Sequence, residues 1–178
     1  MKMKCWPAVL LLSASFLMAS PASAQAPEST LLKRACGSGT VQFDAAADAS
    51  QHPLAQPEPG KAAVYLIGSF IGDSPVKPTV KVGEDGAWVG AIRGNSYIFL
   101  SVQPGDHHIC ANWQSGILHS SLFALANFTA EGGKTYYFRV RTFNGANRIY
   151  SIDLDTANND EGQYLVASSA FSQSHPKN

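Results

Sequence analysis

Residues Val80 to Trp113, VKVGEDGAWVGAIRGNSYIFLSVQPGDHHICANW, constrain the fold more than any other stretch. Turn signals at Asp85-Gly86, Gly94-Asn95 and Pro104-Gly105 cut it into four short segments rich in β-branched and aromatic residues. Asp-Gly suits the positive φ of tight hairpins, and Pro-Gly presets a β-turn. No helix can run through such punctuation, so this region predicts consecutive strands. The first reading is a plain run of hairpins.

The flanking segments extend the pattern. Ala62 to Ile67 (AAVYLI) is almost continuously apolar, as in a central strand covered on both faces. Ser121 to Ala130 reads as a further strand. In Thr135 to Phe143, Tyr136, Phe138 and Val140 face one way, and Tyr137, Arg139 and Arg141 the other. Asn144-Gly145 is another hairpin signal, returning through Arg148 to Leu154. Asn159 to Phe171 predicts one short helix, with Asn159 as its cap and Asp160 and Glu161 at its positive end. The fold class expected is mainly β, an antiparallel β-sandwich of immunoglobulin-like or transthyretin-like kind. It would have about eight strands and one short C-terminal helix.

The organisation expected along the chain has four parts. Residues 1–24 read as a signal peptide: Lys2 and Lys4 precede the apolar run Ala8 to Met18, and Pro21-Ala22-Ser23-Ala24 ends in a small-x-small pattern. Cleavage would fall between Ala24 and Gln25. The run is too short for a membrane span, which needs about 20 residues. Cys5 lies ahead of the apolar run rather than at the cleavage site, which argues against a lipoprotein. Residues 25–60 form an N-terminal segment, with a helical turn or two near Glu28 to Arg34, a short strand in Gly37 to Asp44, and a Pro-rich linker from Ala45. Residues 61–171 form the β-sandwich with its helix, and 172–178 a polar tail.

Charge and cysteines bound the function. Without Lys2 and Lys4 the 13 basic side chains fall to 11 against 13 acidic ones, and they form no basic cluster. That argues against nucleic acid and anionic membrane surfaces as partners. Cys36 and Cys110, 74 residues apart, are the two cysteines of the mature chain and are expected to pair in an oxidising compartment. The expected location is periplasmic or secreted, with no transmembrane segment in the mature chain.

The pieces Gly60-Lys61-Ala62-Ala63-Val64-Tyr65, Lys77-Pro78-Thr79-Val80, Asp85-Gly86-Ala87-Trp88-Val89-Gly90, Asn95-Ser96-Tyr97, Val102-Gln103-Pro104-Gly105-Asp106-His107 and Gly133-Lys134-Thr135-Tyr136-Tyr137 follow one another in that order. Together they resemble the bacterial family called domain of unknown function 2846, over about Gly60 to Arg141. The resemblance implies an exported β-sandwich, distantly similar to PEGA-type surface domains. It supplies no catalytic residues to carry over. Members are often lipid-anchored, whereas this chain lacks the cleavage-site cysteine.

Candidate chemistry is sparse. His107 and His108 are neighbours on a strand, so their rings point to opposite faces and cannot share one metal. A zinc site would need His119 and a carboxylate such as Asp106; a strand start satisfied by turn backbone explains the pair without metal. Asp153, Asp155, Asn158, Asn159, Asp160 and Glu161 invite a calcium site, but Ala157 and Asn158 break the EF-hand pattern. A strand end followed by a helix cap accounts for the same residues. Trp88, Tyr97 and Trp113 would make a glycan platform if exposed together; core packing is the plainer role. Arg139 and Arg141 would grip an anionic partner or simply face solvent. No Gly-x-Ser-x-Gly elbow occurs.

These readings favour a non-enzymatic interaction or envelope-associated module without a cofactor, its partner an unidentified protein or envelope component. A glycan- or small-ligand-binding sandwich is the alternative, and a hydrolase a distant third. The disulfide carries the first test: the denatured, unreduced mature protein should show no free thiol, and two titratable thiols would refute the pairing.

Overall fold

The chain passes repeatedly between two β-sheets. The computed structural model describes residues 27–37, 41–70, 78–114, 122–144 and 150–177, so the predicted signal peptide and its cleavage site lie outside the described residues. The described elements begin with α1 (Glu28–Ala35), β1 (Phe43–Asp48) and β2 (Ala62–Gly68). They continue through β3 (Thr79–Glu84), β4 (Ala87–Arg93), β5 (Ser96–Val102), β6 (Gly105–Trp113) and β7 (Phe123–Ala130). The last are β8 (Thr135–Asn144), β9 (Tyr150–Ala157), α2 (Asn159–Ala167) and β10 (Ala170–Pro176).

One sheet has six strands in the order β1-β10-β5-β2-β8-β9, the other four in the order β4-β3-β6-β7. Their inner faces share one core, to which Leu66, Ile98 and Phe138 come from the larger sheet and Val82, Ile92 and Ile109 from the smaller. Alternation explains this: one parity of each strand is apolar and turns inward. The strand β2 is buried along its whole length, as its continuous apolar run predicts.

The expected run of hairpins is only partly right. Asp85 (φ 47°) and Gly86 (φ 83°) do close a hairpin between β3 and β4. The other two turns instead carry the chain across: Gly94-Asn95 from β4 to β5, and Pro104 into Gly105 from β5 to β6, each linking one sheet to the other. Strands that are not consecutive therefore become neighbours, and two of the pairs, β2 with β8 and β10 with β5, are parallel. A purely antiparallel arrangement is corrected to a mixed six-stranded sheet. The β8–β9 pairing is as expected, while its turn, 145–149, lies outside the described residues.

Both ends of the chain depart from the sequence reading. Ala45 to Asp48 are not linker but the body of β1, and Ser172 to Pro176 are not tail but strand β10, paired with β1 in antiparallel register. The helix stops at Ala167 rather than Phe171, and Asn158, one residue earlier than expected, caps it by accepting the Glu161 N–H at 3.0 Å. Polar side chains concealed β10: Ser172 and Ser174 alternate towards β4, where their hydroxyls meet main-chain groups of Ala91 and Arg93.

Each outer face is partly covered. On the smaller sheet, the Cys36–Cys110 disulfide joins the end of α1 to β6. Gly83 lets that helix end come close, since a Cβ there would lie 2.9 Å from the Ala35 carbonyl oxygen. On the larger sheet, the Pro-rich segment crosses as a strap. Tyr97 donates its hydroxyl to the Pro53 carbonyl at 2.9 Å, and Tyr65 accepts the Ala55 N–H at 2.7 Å. Beside the strap, α2 rests Gly162 on the Tyr137 ring, where a Cβ would meet Cγ at 2.1 Å. Alanine is intrinsically the better helix residue by about 1 kcal/mol. Gly162→Ala should nevertheless destabilise the fold, by about 1–3 kcal/mol as in overpacked sites. Urea unfolding measures this, and a more stable variant would contradict the packing account.

Candidate functional site

Two places gather side chains or backbone groups that can act on something else. The first is at the tip of the β3–β4 hairpin. Glu84 ends β3 and Asp85 begins the turn, while His107, near the start of β6, is buried against the Phe128 ring at 5.6 Å. His107 Nδ1 lies 2.6 Å from Asp85 Oδ2 and 3.1 Å from Glu84 Oε1. Its Nε2 lies 2.7 Å from the Gln103 carbonyl oxygen. A carbonyl only accepts, so Nε2 carries a proton; an ionised carboxylate only accepts, so Nδ1 carries one too. The geometry thus favours the imidazolium.

Burial works against that charge, but the Gln103 carbonyl and the carboxylates of Asp85 and Glu84 outweigh it and raise the His107 pKa. Burial also pushes Asp85 up, yet the N–H groups of His108 and His107 prevail and hold its carboxyl below the usual range. Glu84 is raised, first by burial and then by the neighbouring charge of Asp85, with His107 pulling the other way. His108 turns its ring to the opposite face, as strand parity requires, and gives its main-chain N–H to Asp85 Oδ1 at 2.8 Å.

Among the described residues, Glu84, Asp85 and His107 are the one group of three whose ligand atoms lie within 4.8 Å of one another. Among the described residues this group, rather than the pair His107 and His108 weighed from sequence, has the spacing a metal ion would need. His107 and His108 diverge, His119 lies outside the described residues, and Asp106 accepts the Thr129 hydroxyl at 2.6 Å. A cation at Nδ1 would first have to displace the proton shared with Asp85. The carboxylates were missed because the sequence places them more than 20 residues from His107; only the β3–β6 pairing, Glu84 opposite Ile109, brings them together.

The other expected sites come apart. Tyr97 is fully buried under the strap on the outer side of the larger sheet. Trp88 is on the smaller sheet, beside the disulfide, with Lys81 Nζ 4.2 Å above its ring. Trp113 ends β6. The three do not form one aromatic platform. Arg139 and Arg141 share a face as expected, but each is ion-paired, Arg139 with Glu161 and Arg141 with Asp155. Those pairs, with the cap at Asn158, also divide the acidic segment Asp153 to Glu161 among separate partners.

The second place is a cleft of about 330 Å³ where β5 and β10 separate. Ile98, Phe99 and Leu100 form one wall and Phe171 to Ser174 the other, with Val89 of β4 alongside. None of the lining side chains titrates. The sequence reading missed it because residues 172–178 were read as tail; the Ser172-x-Ser174 alternation was the available signal. Among the described residues no helix is long and apolar enough to cross a membrane. No family model matches the chain, and no curated protein matches it.

The ion pair sets a pH dependence. A histidine whose pKa rises on folding contributes stability that is complete below the unfolded value of about 6.5, and loses it as pH rises through the folded value. The melting temperature should therefore fall as pH climbs above about 6.5, and His107→Gln should flatten that decline. Parallel melting profiles for the two proteins would refute the imidazolium. Asp85 acts in a separate window: its lowered pKa contributes stability above about 3.9 that is lost as pH falls through the folded value.

Proposed function

We propose that this chain is a non-enzymatic, exported β-sandwich that works as an interaction module of the cell envelope. In this reading it is cleaved after Ala24 and resides in the periplasm or outside the cell. The observation that carries the reading is the lining of the β5–β10 cleft: apolar, hydroxyl and amide side chains, with no acid, base or cation. Such a surface can bind, but it has no side chain to move a proton at neutral pH. The ring of His107, the histidine of the carboxylate cluster, is held between two carboxylates and a carbonyl. The Cys36–Cys110 disulfide supports an oxidising location. The resemblance to domain of unknown function 2846, an exported β-sandwich family, points the same way.

Affinity capture tests this. The full chain with a C-terminal tag is used to retain proteins from its own envelope fraction, beside a Val89→Arg variant that places a charge at the cleft. Val89 is 37% exposed, so the variant should fold. A partner retained by the natural chain and lost from the variant is expected. Eluates that match bare resin for both proteins would overturn the interaction reading, and equal retention by both would remove the cleft from it.

A further inference from the structure

The cleft has a feature that side chains do not explain: its walls are strand edges. Ala63 donates its N–H to Lys134, so Ala62, Val64 and Leu66 are the β2 residues that bond towards β5, opposite Val102, Leu100 and Ile98. The main-chain groups of Tyr97, Phe99 and Ser101 must then point the other way, towards β10. The strand β10 meets that edge only at Ala170 opposite Ser96 and Phe171 opposite Tyr97. Beyond Phe171 its ladder runs with β1, and its serine hydroxyls turn to β4. Phe99 and Ser101 are therefore left without a ladder partner on that side among the described residues.

The opposite wall repeats the pattern. Ala170 donates its N–H to Asn95, while Lys177 donates to Gln42, next to β1. By the same alternation, Ser172 spends its N–H on Tyr97 in the last rung of the β5–β10 ladder, while its carbonyl and the main-chain groups of Ser174 face into the cleft. Two parallel strands thus spread from a common root and, beyond the rung that Ser172 N–H makes to Tyr97, neither has a ladder partner on the side facing the other among the described residues.

We propose that this notch receives an extended peptide from a partner protein as an added strand, and that the peptide carries a continuous apolar run. The proposal rests on the interaction reading and names its mode. Rows of N–H and C=O groups are matched by another strand's backbone, not by a sugar or an acyl chain. The incoming side chains would alternate between two apolar environments. Ile98 and Leu100 belong to the inner core, whereas Phe99 and Phe171 belong to the outer-face cluster. Both parities of the peptide must therefore be apolar, unlike an amphipathic strand laid on a wet face. The lining bears no charge, which disfavours a charged run. Because β10 rises from the same root as the open edge, a single strand can enter, but the edge of a second folded copy cannot.

The test uses the full chain and hexapeptides selected on it from a phage-displayed library. Selected sequences should contain four or more consecutive β-branched or aromatic residues. A selected peptide, synthesised with a fluorophore, should bind with anisotropy that saturates, and N-methylation at alternate residues should weaken it at least tenfold. On the protein side, Ser101→Pro removes an N–H that faces no ladder partner, a position where an edge tolerates proline. It should weaken binding at least tenfold while Ser101→Ala does not. If Ser101→Pro fails to fold, the N-methylated peptides still decide. No enrichment, selection of charged or proline-containing sequences, or insensitivity to N-methylation would overturn the proposal. If Ser101→Pro retains an envelope partner as well as the natural chain does, the interaction reading stands and the added strand falls.

Discussion

Two serine hydroxyls close the edge of this molecule. Ser172 Oγ donates to the Ala91 carbonyl at 2.9 Å and accepts from Arg93 N–H at 3.2 Å, and Ser174 Oγ accepts from Ala91 N–H at 3.0 Å. They give the outer edge of β4 the hydrogen bonds that another strand would supply, and an uncovered edge is a template for aggregation. Their effect on the rest follows from geometry. To reach β4, β10 must leave β5 after Phe171; in leaving, it opens the cleft and presents its other edge to β1. Gly90 allows the approach, since a Cβ there would stand 3.0 Å from Ser174 Oγ.

The outer faces follow a different logic. Sheets with one wet face show clean alternation, but here both sheets are partly roofed. A covalent bond holds one roof, joining α1 to β6, and the chain-entropy account assigns a loop of this length roughly 4 kcal/mol. Hydrogen bonds and contact hold the other. The stacked rings of Tyr65 and Tyr137, 5.3 Å apart, underlie both strap and helix, and the hydroxyls of Tyr65 and Tyr97 satisfy strap backbone that would otherwise be stranded over an apolar surface. A segment with no hydrophobic period is thereby ordered by its main chain rather than by its side chains.

The hairpin tip shows why a polar residue can occupy an inner parity. His107 lies in line with Ile109 and Ala111, yet its charged form is favoured because its partners come from two separate turns. A buried ion is tolerable only when paired and hydrogen-bonded. Here the same contacts join the turn before β6 to the turn after β3, so they fix the hairpin against its neighbour.

What the sequence by itself determined is local: the strands from β2 to β9, the Asp-Gly turn, the apolar continuity of β2, and the cysteines as the two that could bridge. Each of these rests on neighbours within a few residues, where alternation and turn chemistry act directly. What only the tertiary structure decided is which sheet each turn leads to. Gly94-Asn95 and Pro104-Gly105 have the same composition whether they close a hairpin or cross a core, because the destination depends on which strand edges are still open. For the same reason β10 looked like a tail and Glu84 and Asp85 looked unrelated to His107. Polar side chains that bond to distant backbone leave no period in the sequence, and the contacts that give them meaning span from 22 to 81 residues.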